Sequence, residues 1–153
     1  MSERSTQHNT FVVERTFEQP PARVFQAFAD PQAKARWFGG PPGEWTEEIR
    51  EHDFRIGGRE RVRGMWKSGH VSDFKCTYYE IVPNERIVYV YEMHVGEPRI
   101  SVSLATIELQ PHGPGTQLKI TEQGVFLDGY DDAGSRERGT RFLVERIAES
   151  LRS

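Results

Sequence analysis

Glu122 is the residue of this 153-residue chain best placed to do chemistry. It follows Leu118 and Ile120 in strand phase, so alternation turns it toward the face those two apolar side chains share. A carboxylate on such a face needs an arginine or tyrosine partner, or a raised pKa. Arg61 and Arg63 on a neighbouring strand could be that partner; the plainer alternative is a solvated charge at the sheet's rim. The other reactive residue types are dispersed. His8, His52, His70, His94 and His112 form no recognisable arrangement with Ser, Cys or Asp. His94, beside Met93 at a strand end, is the histidine nearest to an opening, although a loop-edge position is the plainer reading. Cys76 is the single cysteine, which excludes an intrachain disulfide, and with only Lys75 as an adjoining cation it reads as a packed, inert thiol. Asp128, Asp131 and Asp132 lack the EF-hand ligand spacing and its terminal Glu, so they read as a solvated acidic loop. Gly57-Gly58 joins strands rather than opening a helix and cannot cradle a phosphate. No metal or cofactor is expected, and no residue is assigned as catalytic.

The aromatic residues suggest a different use of the interior. Trp37, Phe38, Trp45, Trp66, Phe74, Tyr78, Tyr89, Tyr91 and Phe126 are candidates for a cavity wall, because Trp and Tyr join a large apolar body to one polar handle. The competing reading is that they fill the core. On the strand over 86–93, Ile87, Tyr89, Tyr91 and Met93 share one face and Val88 and Val90 the other; the first set is expected to point inward. Phe142, Leu143 and Ile147 on the closing helix complete the candidate lining.

These side chains must be positioned by a distinctive order of elements. A strand over 10–17 stops at Pro20-Pro21, and Val24, Phe25 and Phe28 then recur at helical spacing. Asp30-Pro31 starts a second short helix that ends at Gly39-Gly40-Pro41-Pro42. Strands are expected over 45–54, 59–66, 74–82, 86–93, 99–109 and 117–123, the last four joined by Pro83-Asn84-Glu85 and His112-Gly113-Pro114-Gly115 turns. The apolar phase slips between Leu104 and Ile107, which predicts a bulge there. Residues 125–138 carry turn formers as well as helix-compatible charges. Thr140 is the expected cap of a final helix in which Leu143, Val144, Ile147, Ala148 and Leu151 make a stripe of roughly 140°. One such helix cannot cover six or seven strands unless the sheet curls around it, and a curled sheet leaves a hollow.

Composition narrows the function classes. A net charge of −3 gives no basic footprint for nucleic acid, and the arginines at 55, 59, 61 and 63 read as a solvated strand face. No stretch approaches the roughly 18 apolar residues of a membrane span, and the polar residues 1–10 lack a signal core. A cytoplasmic setting, a flexible segment over 1–9 and a single domain over 10–153 are expected.

Several segments together resemble a known family: Phe17 through Phe28 with Trp37-Phe38, Phe54-Arg55-Ile56-Gly57-Gly58, Tyr79 through Tyr89, Gly115-Thr116-Gln117-Leu118, and Gly139-Thr140-Arg141-Phe142-Leu143 onward. In this order they are similar to the SRPBCC (START-like) superfamily, and within it to the group related to the C-terminal domain of the heat shock protein 90 ATPase activator, which includes polyketide-cyclase-like proteins. The resemblance implies an α+β helix-grip fold: a curved antiparallel sheet of six to seven strands around a C-terminal helix, with two short helices after strand one. Where the family often has Trp after the glycine of the last helix, this chain has Thr140. The implied function is binding or carrying a small hydrophobic or amphipathic molecule between sheet and helix. One alternative is a polyketide-cyclase-like enzyme in which Glu122, Tyr89 and an arginine assist proton transfer. The other is a chaperone-interaction module. Exposed sheet edges could also support a homodimer.

Overall fold

A computed structural model describes residues 3–152. The chain runs β1 (Thr6–Phe17), α1 (Pro21–Ala29), α2 (Pro31–Ala35), β2 (Trp45–His52), β3 (Arg59–Trp66), β4 (Val71–Val82), β5 (Arg86–Val95), β6 (Arg99–His112), β7 (Gly115–Leu127) and α3 (Ala133–Leu151). The strands form one antiparallel sheet in the order β1-β7-β6-β5-β4-β3-β2. Successive hairpins generate five of the six pairings, and only β1 crosses the molecule to lie beside β7. The fold is the α+β helix grip, with seven strands.

Strand alternation decides what faces α3. On β1, Phe11, Val13 and Phe17 are buried; on β7, Leu118, Ile120, Glu122 and Phe126 are buried. Ile87 and Tyr91 are buried on β5, which puts the 87, 89, 91 and 93 set inward as expected. Burying a Phe or Ile side chain contributes roughly 1.5–3 kcal/mol, and α3 supplies the opposing layer with Val144, Ile147, Ala148 and Leu151. Prolines open both short helices, where their missing N–H costs nothing. The Trp37 indole donates to the Ala27 carbonyl at 2.8 Å and fastens the turn after α2 to α1.

Three expectations are corrected. Strand β1 begins at Thr6, and residues 6–9, placed outside the domain above, pair with residues 124–127 of β7; Met1 and Ser2 lie outside the described residues. The bulge expected between Leu104 and Ile107 does not form, since the β5–β6 register runs unbroken through Leu104↔Val90, Ala105↔Tyr89, Thr106↔Val88 and Ile107↔Ile87. Small Ala105 takes the inward position and Leu104 points out, so the phase slip reflects side-chain size rather than an extra residue. The register shifts that bend the sheet lie at Glu47/Ile49, Tyr78/Glu80 and Met93/His94. Finally, α3 starts at Ala133, capped by Asp132, whose side chain accepts from the Ser135 amide at 2.8 Å. Thr140, expected as the cap, is inside the helix.

Candidate functional site

The hollow has a local cause. The inward positions of β6 nearest the open end are Ser101, Ser103 and Ala105, and they pair with Met93, Tyr91 and Tyr89 on one side and with Phe126, Gly124 and Glu122 on the other. Small side chains beside large ones leave space above the sheet. A pocket of about 330 Å³ occupies it, within the lower range of small-molecule sites. Its wall is aromatic and continuous: Phe38 meets Phe74 edge-on at 4.8 Å between centroids, Phe74 meets Tyr91 at 5.0 Å, and Tyr91 meets Tyr89 at 6.0 Å. Trp45 lies against glycine backbones, since a Cβ at Gly64 would sit 2.1 Å from its Cε2 and one at Gly40 2.4 Å from its Cβ. Arg146 on α3 donates to the Gly39 carbonyl at 2.7 Å and to the Arg36 carbonyl at 3.2 Å, holding the loop after α2 over the pocket's end. The lining residue Phe142 is half exposed, and at Gly139 a Cβ would meet nothing within 4 Å. These two positions on α3 mark the mouth.

One corner of the pocket is polar. Glu122, only 6% exposed, accepts a hydrogen bond from the Tyr91 hydroxyl on Oε1 and one from the Thr140 hydroxyl on Oε2 at 3.0 Å. Arg136 donates to the Tyr91 oxygen at 3.1 Å, to Ser101 at 2.8 Å and to Asp131 at 3.0 Å. Burial pushes the Glu122 carboxyl above the usual carboxylate range, against the opposing pull of its Tyr91 and Thr140 hydrogen bonds and the Arg136 charge. The Tyr91 hydroxyl is pushed up as well, first by burial and then by the Glu122 charge. Such a group can exchange a proton with a bound molecule or hold a hydrogen-bond donor.

A second polar cluster adjoins the pocket through its rings. Lys34 Nζ lies 2.6 Å from Glu60 Oε1, with their side chains 5% and 1% exposed. The Tyr78 hydroxyl donates to the same Glu60 oxygen at 2.6 Å, and His52 Nε2 is 3.3 Å from that hydroxyl. The ammonium also faces the Phe38 ring at 4.7 Å and the Tyr89 ring at 6.0 Å, both part of the pocket wall. Glu60 Oε2 and His52 Nδ1 are buried without a hydrogen-bond partner among the described residues. Burial opposes ionisation of Glu60, but the Lys34 charge and the hydrogen bonds from Lys34 and Tyr78 win and hold its carboxyl below the usual range. Burial lowers His52, and it pushes the Cys76 thiol up to about 12, in keeping with an inert packed residue.

The pocket brings together Trp37, Phe38, Trp45, Trp66, Phe74, Tyr89, Tyr91, Met93, Glu122, Phe142, Leu143 and Ile147. Tyr78 and Phe126 do not line it. Tyr78 belongs to the Lys34–Glu60 cluster, and Phe126 is covered by the Arg136 guanidinium, 5.3 Å from its ring. Arg61 and Arg63 are not partners of Glu122: they alternate with inward Glu60, Val62 and Gly64, so they point out and pair with Asp73 at 2.9 and 3.4 Å. The rim reading of Glu122 falls with its burial. His94 pairs with Glu92 at 2.6 Å, and Ser68 and His70 meet at 2.5 Å on an exposed turn stacked against Trp66. The acidic-loop residues have structural partners: Asp128 takes the Ser5 amide and Arg4, Asp131 takes Arg136, and Asp132 caps α3. Sequence reasoning missed Arg136, Thr140, Lys34 and Glu60. Glu60 was within reach, being in phase with Val62, and Lys34 precedes Trp37 and Phe38 by three and four residues on one helical face.

Comparison with curated proteins finds no match. Among solved structures, the chain is similar to an uncharacterized protein of Rhizobium leguminosarum, with 43% identity and a TM-score of 0.93 over 99% of both chains. It is likewise similar to the Mll3558 protein of Rhizobium loti, with 44% identity and a TM-score of 0.88 over 95% of this chain and 99% of that one. The fold is shared with DynU16, a protein of the dynemicin biosynthetic locus, at 19% identity and a TM-score of 0.69 over 94% of this chain and 47% of that one. Residues 18–152 match the family described as Activator of Hsp90 ATPase homolog 1-like protein, and the chain, with its helix-grip fold, belongs to that family.

Proposed function

We propose that this protein binds or carries a small, largely apolar molecule with one polar end, seated between the sheet and α3. The observation that carries this reading is the aromatic pocket of about 330 Å³ with a hydrogen-bonding corner at Glu122, Tyr91, Arg136 and Thr140. Apolar walls with a few convergent polar groups are what a cavity needs to hold and orient an amphipathic guest. The test is a titration with prodan, a neutral dye whose emission reports polarity. Saturable one-to-one enhancement is expected. Gly139→Leu should weaken it several-fold without lowering Tm, because the new side chain enters open space at the mouth and leucine favours helix over glycine. Non-saturable emission, or equal binding by the variant, refutes the pocket.

A second reading has one observation in its favour. Glu122 is an inward titratable group with a raised pKa beside Tyr91, as proton transfer on a folded polyketide-like substrate would need. The occurrence of the same fold in a protein of a biosynthetic locus is compatible with that chemistry. Recovery of an unchanged guest after prolonged incubation separates carrier from enzyme. The chaperone-interaction reading has only the family's name behind it.

A further inference from the structure

The polar corner restricts what the guest's polar end can be. Glu122 has two carboxylate oxygens and up to four acceptor positions, of which Tyr91 and Thr140 fill one on each oxygen. Both donors are neutral hydroxyls. The nearby cation does not bond the carboxylate: Arg136 directs its donors to Tyr91, Ser101 and Asp131, and Asp131 matches its charge at 3.0 Å. Tyr89 and Tyr91 on β5 and Arg136 on α3 are the titratable and charged groups facing Glu122, while its cross-strand neighbours on β1 and β6 are Phe11 and Ala105. Lys34, behind the Phe38 and Tyr89 rings, is matched by Glu60. A buried carboxylate thus faces the pocket with no cation bonded to it among the described residues, ringed by aromatic residues whose π-faces attract positive charge.

We infer that the guest is an apolar amine, its protonated nitrogen bonded to Glu122 and its hydrocarbon body against Phe74, Tyr89 and Tyr91. An anionic group would meet the carboxylate and be repelled. A neutral hydroxyl could use the free lone pairs but would leave the charge unbalanced. This deepens the binding function proposed above and rests on it.

The experiment compares three probes with one ring system, 1-naphthylmethylamine, 1-naphthalenemethanol and 1-naphthoic acid, by calorimetry at about pH 7.5, with prodan as the reference guest. The amine should bind on the order of tenfold tighter than the alcohol, as expected for a hydrogen bond to a charged group, and the acid weakest. Glu122→Gln should abolish the amine's advantage over the alcohol. The wild-type protein gives an independent reading: the amine's advantage over the alcohol should shrink as pH falls and Glu122 protonates. If prodan and all three probes fail to bind, the pocket function itself fails. If they bind but the alcohol or the acid equals the amine, or if Glu122→Gln keeps the preference, only the amine inference is overturned.

Discussion

Replacing Lys34 by methionine tests the reasoning about the buried cluster most directly. The ammonium lies 2.6 Å from Glu60, and the two side chains are 5% and 1% exposed. Without Lys34, the carboxylate keeps the Tyr78 hydroxyl and the weak Cys76 contact at 3.9 Å, while Oε2 already lacks a partner among the described residues. Breaking a buried pair from one side costs about 3–5 kcal/mol, a large share of the roughly 5–15 kcal/mol of a typical domain. For a chain of this size, Tm should fall by on the order of 10 °C. The penalty must also depend on pH. In the wild-type protein Glu60 has a lowered pKa, so its stabilisation is present above the unfolded carboxylate value and is lost as pH falls through the folded one. In Lys34→Met the desolvation that raises its pKa is no longer opposed by a cation. The sign reverses, and the penalty is full at pH 8 and shrinks toward pH 5 as the carboxyl protonates. Lys34→Met/Glu60→Met should recover most of the loss, because an apolar pair of similar volume leaves no orphaned charge. Urea unfolding of the two variants and the wild type at both pH values measures all three quantities. A single-variant cost under about 1 kcal/mol at pH 8, or one independent of pH, would refute the account.

Two further outcomes follow from named contacts. Glu122 has a raised pKa, so its folded-state contribution is complete below the unfolded carboxylate value and is lost as pH rises through the folded one; Glu122→Gln should gain stability relative to the wild type between about pH 4 and pH 8, and a constant difference in Tm would contradict this. Gly64→Ala should cost about 1–3 kcal/mol and red-shift tryptophan emission, because its Cβ would lie 2.1 Å from Trp45 Cε2 and must displace the indole. An unshifted spectrum with native stability would show that the ring does not rest on that backbone.

Much of this architecture was legible in the chain because strand parity is a local property. Ile87, Tyr89, Tyr91 and Met93 alternate, and so do Leu118, Ile120 and Glu122; once one member of each set is apolar and buried, the others face the same way. The phase slip at Leu104 was misread because two residue types, Ala105 and Leu104, exchanged the positions that size alone suggests. The start of α3 was missed because Asp132, Gly134 and Ser135 are turn formers whose role as a cap appears only when the Asp132 side chain closes on the Ser135 amide.

Alternation, read from residue order alone, put the aromatic residues of β5 and Glu122 of β7 on the faces they share with apolar neighbours, and one long helix against six or seven strands required the sheet to curl; whether those side chains fill the interior or line a space was left open. Which groups answer that carboxylate was decided by tertiary structure. Arg136 and Thr140 reach Tyr91 and Glu122 only because α3 begins about three turns earlier than its apolar stripe, and Arg61 and Arg63 are lost to the outer face by a shift of one residue. Lys34 and Glu60, from a short helix and a distant strand, meet at 2.6 Å. Periodicity specifies direction, which each segment carries by itself; partnership depends on distance across the fold, which no segment carries alone.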